Sequence, residues 1–116
     1  MNITPIATVR RLEGEQSKII VAEQYARGLE GIEPGRKLQI LYWMHKLPDE
    51  ARHELQVHPQ GDTNRPLRGV FALRSPMRPN PIGVSVVEVS AIEANELTVT
   101  GLDAQDGSPV IDIKGA

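Results

Sequence analysis

Lys37-Leu38-Gln39-Ile40-Leu41-Tyr42-Trp43-Met44-His45-Lys46 carries the strongest strand signal in the chain. Side chains alternate across a strand, so Leu38, Ile40, Tyr42 and Met44 share one face and Gln39, Leu41, Trp43 and His45 the other. Both faces hold apolar groups, which places this strand inside a sheet rather than at its edge. Outward from it, short β-rich runs recur between Gly, Pro and Asn. Ile3–Arg11, Ser17–Ala22, Arg52–Val57, Arg68–Leu73, Gly83–Ile92, Leu97–Leu102 and Val110–Ile113 read as further strands. Ala94-Asn95 stands where a hairpin turn belongs. Helical periodicity is scarce. Glu23–Leu29 is the best short helix, with Tyr25 and Leu29 four apart and Gly28 and Gly31 near its end. About eight short strands and one small helix predict an all-β barrel or sandwich. A barrel also leaves no exposed sheet edge, which suits so small a protein.

The 116 residues amount to a single domain, residues 1–116. The longest apolar run is five residues, Ile40 to Met44. A membrane-spanning helix needs ~20, so no membrane partner is expected. The first residues lack the basic start and apolar stretch of a secretory signal, and a cytoplasmic location is the expectation. Without cysteine there are no disulfides, thiolate nucleophiles or cysteine-held metals. The charge is unevenly spread. Thr63 to Val87 contains Arg65, Arg68, Arg74 and Arg78 and no acid, whereas the rest holds nine basic and fifteen acidic residues. Such a window is either a solvated loop or a local anion-binding surface.

No metal site is expected. His53 and His58 are five apart, and on one strand that odd spacing would put them on opposite faces. His45, alone on the central strand, reads as a hydrogen-bonded core residue more readily than as a ligand. Neither GxGxxG nor GxxxxGK[ST] occurs, which argues against a nucleotide-binding Rossmann domain. The informative segment is Gly69-Val70-Phe71-Ala72-Leu73-Arg74-Ser75-Pro76-Met77-Arg78-Pro79-Asn80-Pro81-Ile82-Gly83. Its three prolines fix their own φ and push Ser75, Arg78 and Asn80 toward extended backbone. A stiff connector is one reading. A preordered ligand loop is the stronger one, because a connector needs neither the arginines nor the asparagine, and a stiff loop loses less entropy on binding. Gly101-Leu102-Asp103-Ala104-Gln105-Asp106-Gly107-Ser108-Pro109 reads as a turn. Its aspartates either cap that turn or bind hydroxyl or cationic groups.

Arg74-Ser75-Pro76-Met77-Arg78-Pro79-Asn80-Pro81-Ile82-Gly83 closely resembles the signature of the TsaA-like (TrmO) methyltransferases. Gly69-Val70-Phe71-Ala72, Leu41-Tyr42-Trp43-Met44-His45-Lys46, Leu102-Asp103 and Asp106-Gly107-Ser108-Pro109-Val110 are similar to family segments too. The resemblance implies a single-sheet β-barrel that binds S-adenosylmethionine, often as a homodimer. It implies methylation of N6 in the threonylcarbamoyl-adenosine beside the tRNA anticodon. Matching positions imply cofactor contacts at His45, Lys46, Arg74, Val84, Ser85, Thr100, Gly101, Leu102 and Asp103. Arg65, Arg68 and Arg78 would then meet tRNA phosphates, and Asn80 would present an amide at an angle fixed by Pro79 and Pro81.

Family members commonly carry an Arg-Gln-Pro loop between the first two strands, where this chain has only Leu12-Glu13-Gly14-Glu15-Gln16. Many have Phe-Ser-His before the central strand; here the residues are Pro34-Gly35-Arg36-Lys37. Two alternatives stay open beside the tRNA methyltransferase: methylation of another RNA or a small molecule, and a cofactor- or RNA-binding module without turnover.

Overall fold

A computed structural model describes residues 1–116. The strands are β1 (Ala7–Arg11), β2 (Gln16–Val21), β3 (Lys37–Trp43), β4 (Gln56–Val57), β5 (Arg68–Gly69), β6 (Ile82–Glu93), β7 (Glu96–Thr100) and β8 (Pro109–Gly115). Six of them close an antiparallel barrel in the order β1-β2-β7-β6-β3-β8, while β4 and β5 pair separately. The expected all-β barrel is thus present.

Alternation builds its interior. Val9 of β1, Ile19 and Val21 of β2, Leu38 and Ile40 of β3, Val87 and Val89 of β6, Leu97 and Val99 of β7 and Val110 of β8 all point inward and are buried. They form one continuous cluster, which fills a barrel of this size with side chains and leaves no channel. β3 is flanked by β6 and β8, as expected of a strand apolar on both faces. β6 and β7 are joined by the two-residue turn Ala94-Asn95, with Ala94 at φ 54°, the conformation that tight hairpins require. Asn95 braces this turn against β2: its Nδ2 donates to the Val21 carbonyl at 2.6 Å.

Several expected elements are shorter than the sequence predicts. β3 ends at Trp43, so His45 lies in the turn beyond it. Met44 N–H donates to the Pro81 carbonyl at 2.8 Å, but Pro81 has no N–H to return, and the ladder stops there. β1 begins at Ala7 rather than Ile3, just after Pro5. Arg52–Val57 contributes only Gln56–Val57, because Asp49–His53 forms a 3-10 turn behind Pro48. Arg68–Leu73 contributes only Arg68–Gly69, followed by a 3-10 turn over Val70–Ala72. His53 and His58 therefore do not share a strand. Glu23–Leu29 is helical as expected, with 3-10 geometry.

Residues 44–81 form an arm on the barrel, and the molecule is elongated, 47 × 31 × 23 Å. Val70 and Ala51 are buried in the arm, apart from the barrel cluster.

Candidate functional site: the cleft between arm and barrel

An open cleft of about 1190 Å³ lies where the proline-rich end of the arm meets β6 and the segment after β7. Its barrel wall is the start of β6. Gly83, Val84, Ser85 and Val86 line it, and Val84 and Val86 point outward, away from the core. Its arm wall carries Leu73, Arg74, Ser75, Pro76 and Arg78. Lys46, Asp103 and Gln105 close the remaining side.

The arm wall is stiff for a reason the sequence holds only in part. Pro76, Pro79 and Pro81 remove three N–H donors, so neighbouring carbonyls must find partners elsewhere. Two arginines supply them. Arg78 donates from Nε to the Ser75 carbonyl at 2.7 Å, and from Nη2 to the carbonyls of Val70 at 2.9 Å and Leu73 at 2.8 Å. Arg52 donates from Nε to the Pro79 carbonyl at 2.7 Å and from Nη2 to Asn80 Oδ1 at 3.4 Å. Its guanidinium also lies 5.5 Å from the centre of the Trp43 ring, within cation–π range. Arg74 is tied to the barrel through Nη2, which donates to the Val84 carbonyl at 3.1 Å.

Of the nine expected cofactor contacts, Lys46, Arg74, Val84, Ser85, Gly101 and Asp103 converge on this cleft. Leu102 is buried beneath it. Thr100 is paired with Gln16 and Glu88 in the sheet. His45 lines a smaller adjoining cavity of about 110 Å³. Its Nδ1 lies 3.4 Å from Ser108 Oγ, whose own proton goes to the Gln105 carbonyl at 2.6 Å. Among the expected substrate contacts, Arg78 reaches the cleft with Nε and Nη2 engaged by its own loop and Nη1 open, and Asn80 Oδ1 faces Arg52. Arg65 and Arg68 stand out on the arm, where Arg65 Nε is 3.8 Å from Asp62 Oδ2.

Electrostatically, cations face one carboxylate. The three ion pairs of the chain are Lys18–Glu96, Arg65–Asp62 and Lys114–Asp112, so Lys46, Arg74 and Asp103 remain without a charged partner. No three His, Asp or Glu side chains gather as a metal-binding group. Sequence reasoning did not single out Tyr42 or Arg52 for this site. Tyr42 has the signature of a core residue and Arg52 that of a surface charge; neither shows from spacing alone that it bonds a distant backbone.

The fold is shared with known proteins. The chain is 51% identical over 104 residues to an S-adenosyl-L-methionine-binding protein of Archaeoglobus fulgidus, covering 90% of this chain and 71% of that one. It is 40% identical over 113 residues to a probable S-adenosyl-L-methionine-binding protein of Methanocaldococcus jannaschii, covering 97% and 89%. A crystal structure of TrmO from Pseudomonas aeruginosa matches the whole chain with a TM-score of 0.74 at 26% identity. This chain spans only 55% of that crystal chain. The class is that of the β-barrel S-adenosyl-L-methionine-dependent methyltransferases. Within it, the chain belongs to the tRNA-methyltransferase O N-terminal domain family, whose model matches residues 4–115.

Proposed function

We propose that this protein transfers a methyl group from S-adenosyl-L-methionine to N6 of threonylcarbamoyl-adenosine beside the tRNA anticodon, acting in the cytoplasm as a homodimer. The observation that carries the reading is the cleft itself, lined by Lys46, Arg74 and an Asp103 with no charged partner together with the outward Val84 and Val86 of β6. These residues fit the cofactor's chemistry. Arg74 and Lys46 suit its carboxylate, Asp103 suits its ammonium or ribose hydroxyls, and Leu73, Val84 and Val86 suit the adenine. When bound, the cofactor supplies a methyl group on a positively charged sulfur. The residues of this chain bind and orient: the proline-stiffened arm and the sheet fix both walls, and alignment alone can lower a transfer barrier by several kcal/mol.

The homodimer rests on the arm. Leu55 and Phe71 are 59% and 77% exposed, and Leu67 and Met77 are exposed beside them. A projecting arm with four exposed apolar side chains fits a second copy of this chain, which would also wall the open side of the cleft. One observation favours the second reading, a smaller acceptor. Arg78 spends Nε and Nη2 on its own loop, Arg65 lies against Asp62, and neither Arg65 nor Arg68 lines the cleft, which leaves Lys46 and Arg74 as the cations there for phosphates.

Calorimetry with S-adenosylhomocysteine, followed by mass spectrometry of tRNA nucleosides after incubation with S-adenosyl-L-methionine, tests the reading. Binding together with a methylated threonylcarbamoyl-adenosine is expected. Binding without any methylated tRNA nucleoside would replace tRNA with the smaller acceptor, and absent binding would leave neither.

A further inference from the structure

We propose that Tyr42, with Ser85 and Arg11, is a positioning residue that fixes the Asp103 carboxylate in the cleft before any ligand arrives. The inference builds on the reading of Asp103 as a ligand contact. Residues 101–105 belong to no strand, so their polar backbone groups lack ladder partners. Around Asp103, three side chains from three different strands take that place. From β1, Arg11 Nη1 donates to the Leu102 carbonyl and, at 3.0 Å, to Ser17 Oγ. Toward β6, Asp103 N–H donates to Ser85 Oγ at 3.2 Å. From β3, the Tyr42 hydroxyl donates to the Asp103 carbonyl at 2.7 Å. Leu102 anchors the segment in the core, and the Asp103 side chain alone is left free, facing the cleft.

Tyr42 reaches that carbonyl because of Gly83. The two residues face each other in the β3–β6 ladder. A Cβ on Gly83 would lie 2.5 Å from Tyr42 Cζ and 2.8 Å from its hydroxyl oxygen, so the ring occupies the space a side chain would take. The glycine that closes the proline-rich segment thus serves the opposite wall of the cleft. Both Tyr42 and Ser85 are nearly buried, at 6% and 7% exposure, and so hold fixed positions. A carboxylate placed in advance binds without the entropy cost of ordering its loop.

The test is a double-mutant cycle read by calorimetry with S-adenosylhomocysteine on wild type, Y42F, D103N and the double variant. Y42F keeps the ring and removes only the donor. It is expected to weaken binding about five- to tenfold alone, and by less than about twofold in the D103N background, because its effect passes through Asp103. Gly83→Ala, which displaces the ring, is expected to weaken binding at least as much as Y42F. Equal losses from Y42F with and without Asp103 overturn the proposal, as does an unchanged affinity. Hydrogen exchange of the Asp103 amide in ligand-free protein gives an independent reading. Exchange should quicken in Y42F, and unchanged exchange overturns the clamp. Absent binding by wild type overturns the cofactor reading instead, and amide exchange then judges the clamp alone.

Discussion

The barrel and the arm are parts of one chain held together by different physics. In the barrel, inward side chains from six strands merge into one apolar cluster, and backbone groups pair along ladders. In the arm, only Ala51, Val70 and Pro81 are buried, four large apolar side chains are exposed, and the backbone has lost donors to proline. Arginine side chains from Arg78 and Arg52 replace those donors. A ladder fixes its strands everywhere along their length. An arginine fork fixes a few carbonyls at one point, and the arm uses it where its wall meets the cleft. The difference teaches why the site lies on the seam: one wall is rigid through the core, the other through local chemistry that a single substitution can undo.

The largest expected effect breaks the barrel. Ile40 is fully buried in β3, and Ile40→Ala should cost roughly 2–5 kcal/mol in urea unfolding, through lost burial and the cavity left behind. Next comes the arm wall. Arg78→Ala leaves the Ser75 and Leu73 carbonyls unpartnered and the Val70 carbonyl with the Leu73 N–H alone, and should weaken S-adenosylhomocysteine binding about ten- to hundredfold while the barrel still unfolds cooperatively. Arg78→Lys should recover only part of this, since an ammonium cannot reproduce the planar fork. An unchanged affinity in Arg78→Ala would show that the arm wall does not depend on Arg78.

Smaller still, Phe71→Ala should change monomer stability by less than about 0.5 kcal/mol, as for an exposed residue. Sedimentation should nonetheless show its mass falling toward the 12.8 kDa of one chain. A dimer that ignores Phe71 would move the interface off the arm. The smallest effect is electrostatic. The hydrogen bond from Lys114, at 2.8 Å, holds Asp112 below its ordinary value of 3.8; partial burial opposes this and the Ile113 N–H assists it. A lowered folded value means the stabilisation is complete well above pH 3.8 and is lost as pH falls through the folded value. Both groups are largely exposed, so acid unfolding of Asp112→Asn should differ from wild type by under about 1 kcal/mol. A larger difference would make this pair part of what holds β8.

Much of the barrel was legible because its cause is local. Alternation in Lys37–Trp43 and in Ile82–Glu93 follows from one face being buried, and the Ala94-Asn95 turn follows from two strands of matching pattern. The arm was not legible as an arm. Arg52–Val57 and Arg68–Leu73 have strand-like composition, but proline and 3-10 turns reduce each to two paired residues. In the site, the structure brings Lys46, Arg74, Ser85 and Asp103, four of the expected cofactor contacts, to one cleft. The tasks of Arg78 and Tyr42 did not show, because each bonds a carbonyl, a group that every residue carries. Net charge counts Arg78 as a free cation, whereas the structure engages its Nε and Nη2 within the loop and leaves Nη1 open.

The closing seam of the barrel joins β1 to β8, with Ala7 opposite Val110 and Thr8 opposite Pro109. These strands come from opposite ends of the chain, and one of the two pairs contains a residue with no N–H. Bringing such distant segments together has a high loop-closure entropy, which local hairpins such as β6–β7 avoid. Loop-closure entropy therefore predicts that the barrel closes after the local β6–β7 hairpin has formed, and that the turn bearing Asp103, which lies between β7 and β8, acquires its final shape only with that closure.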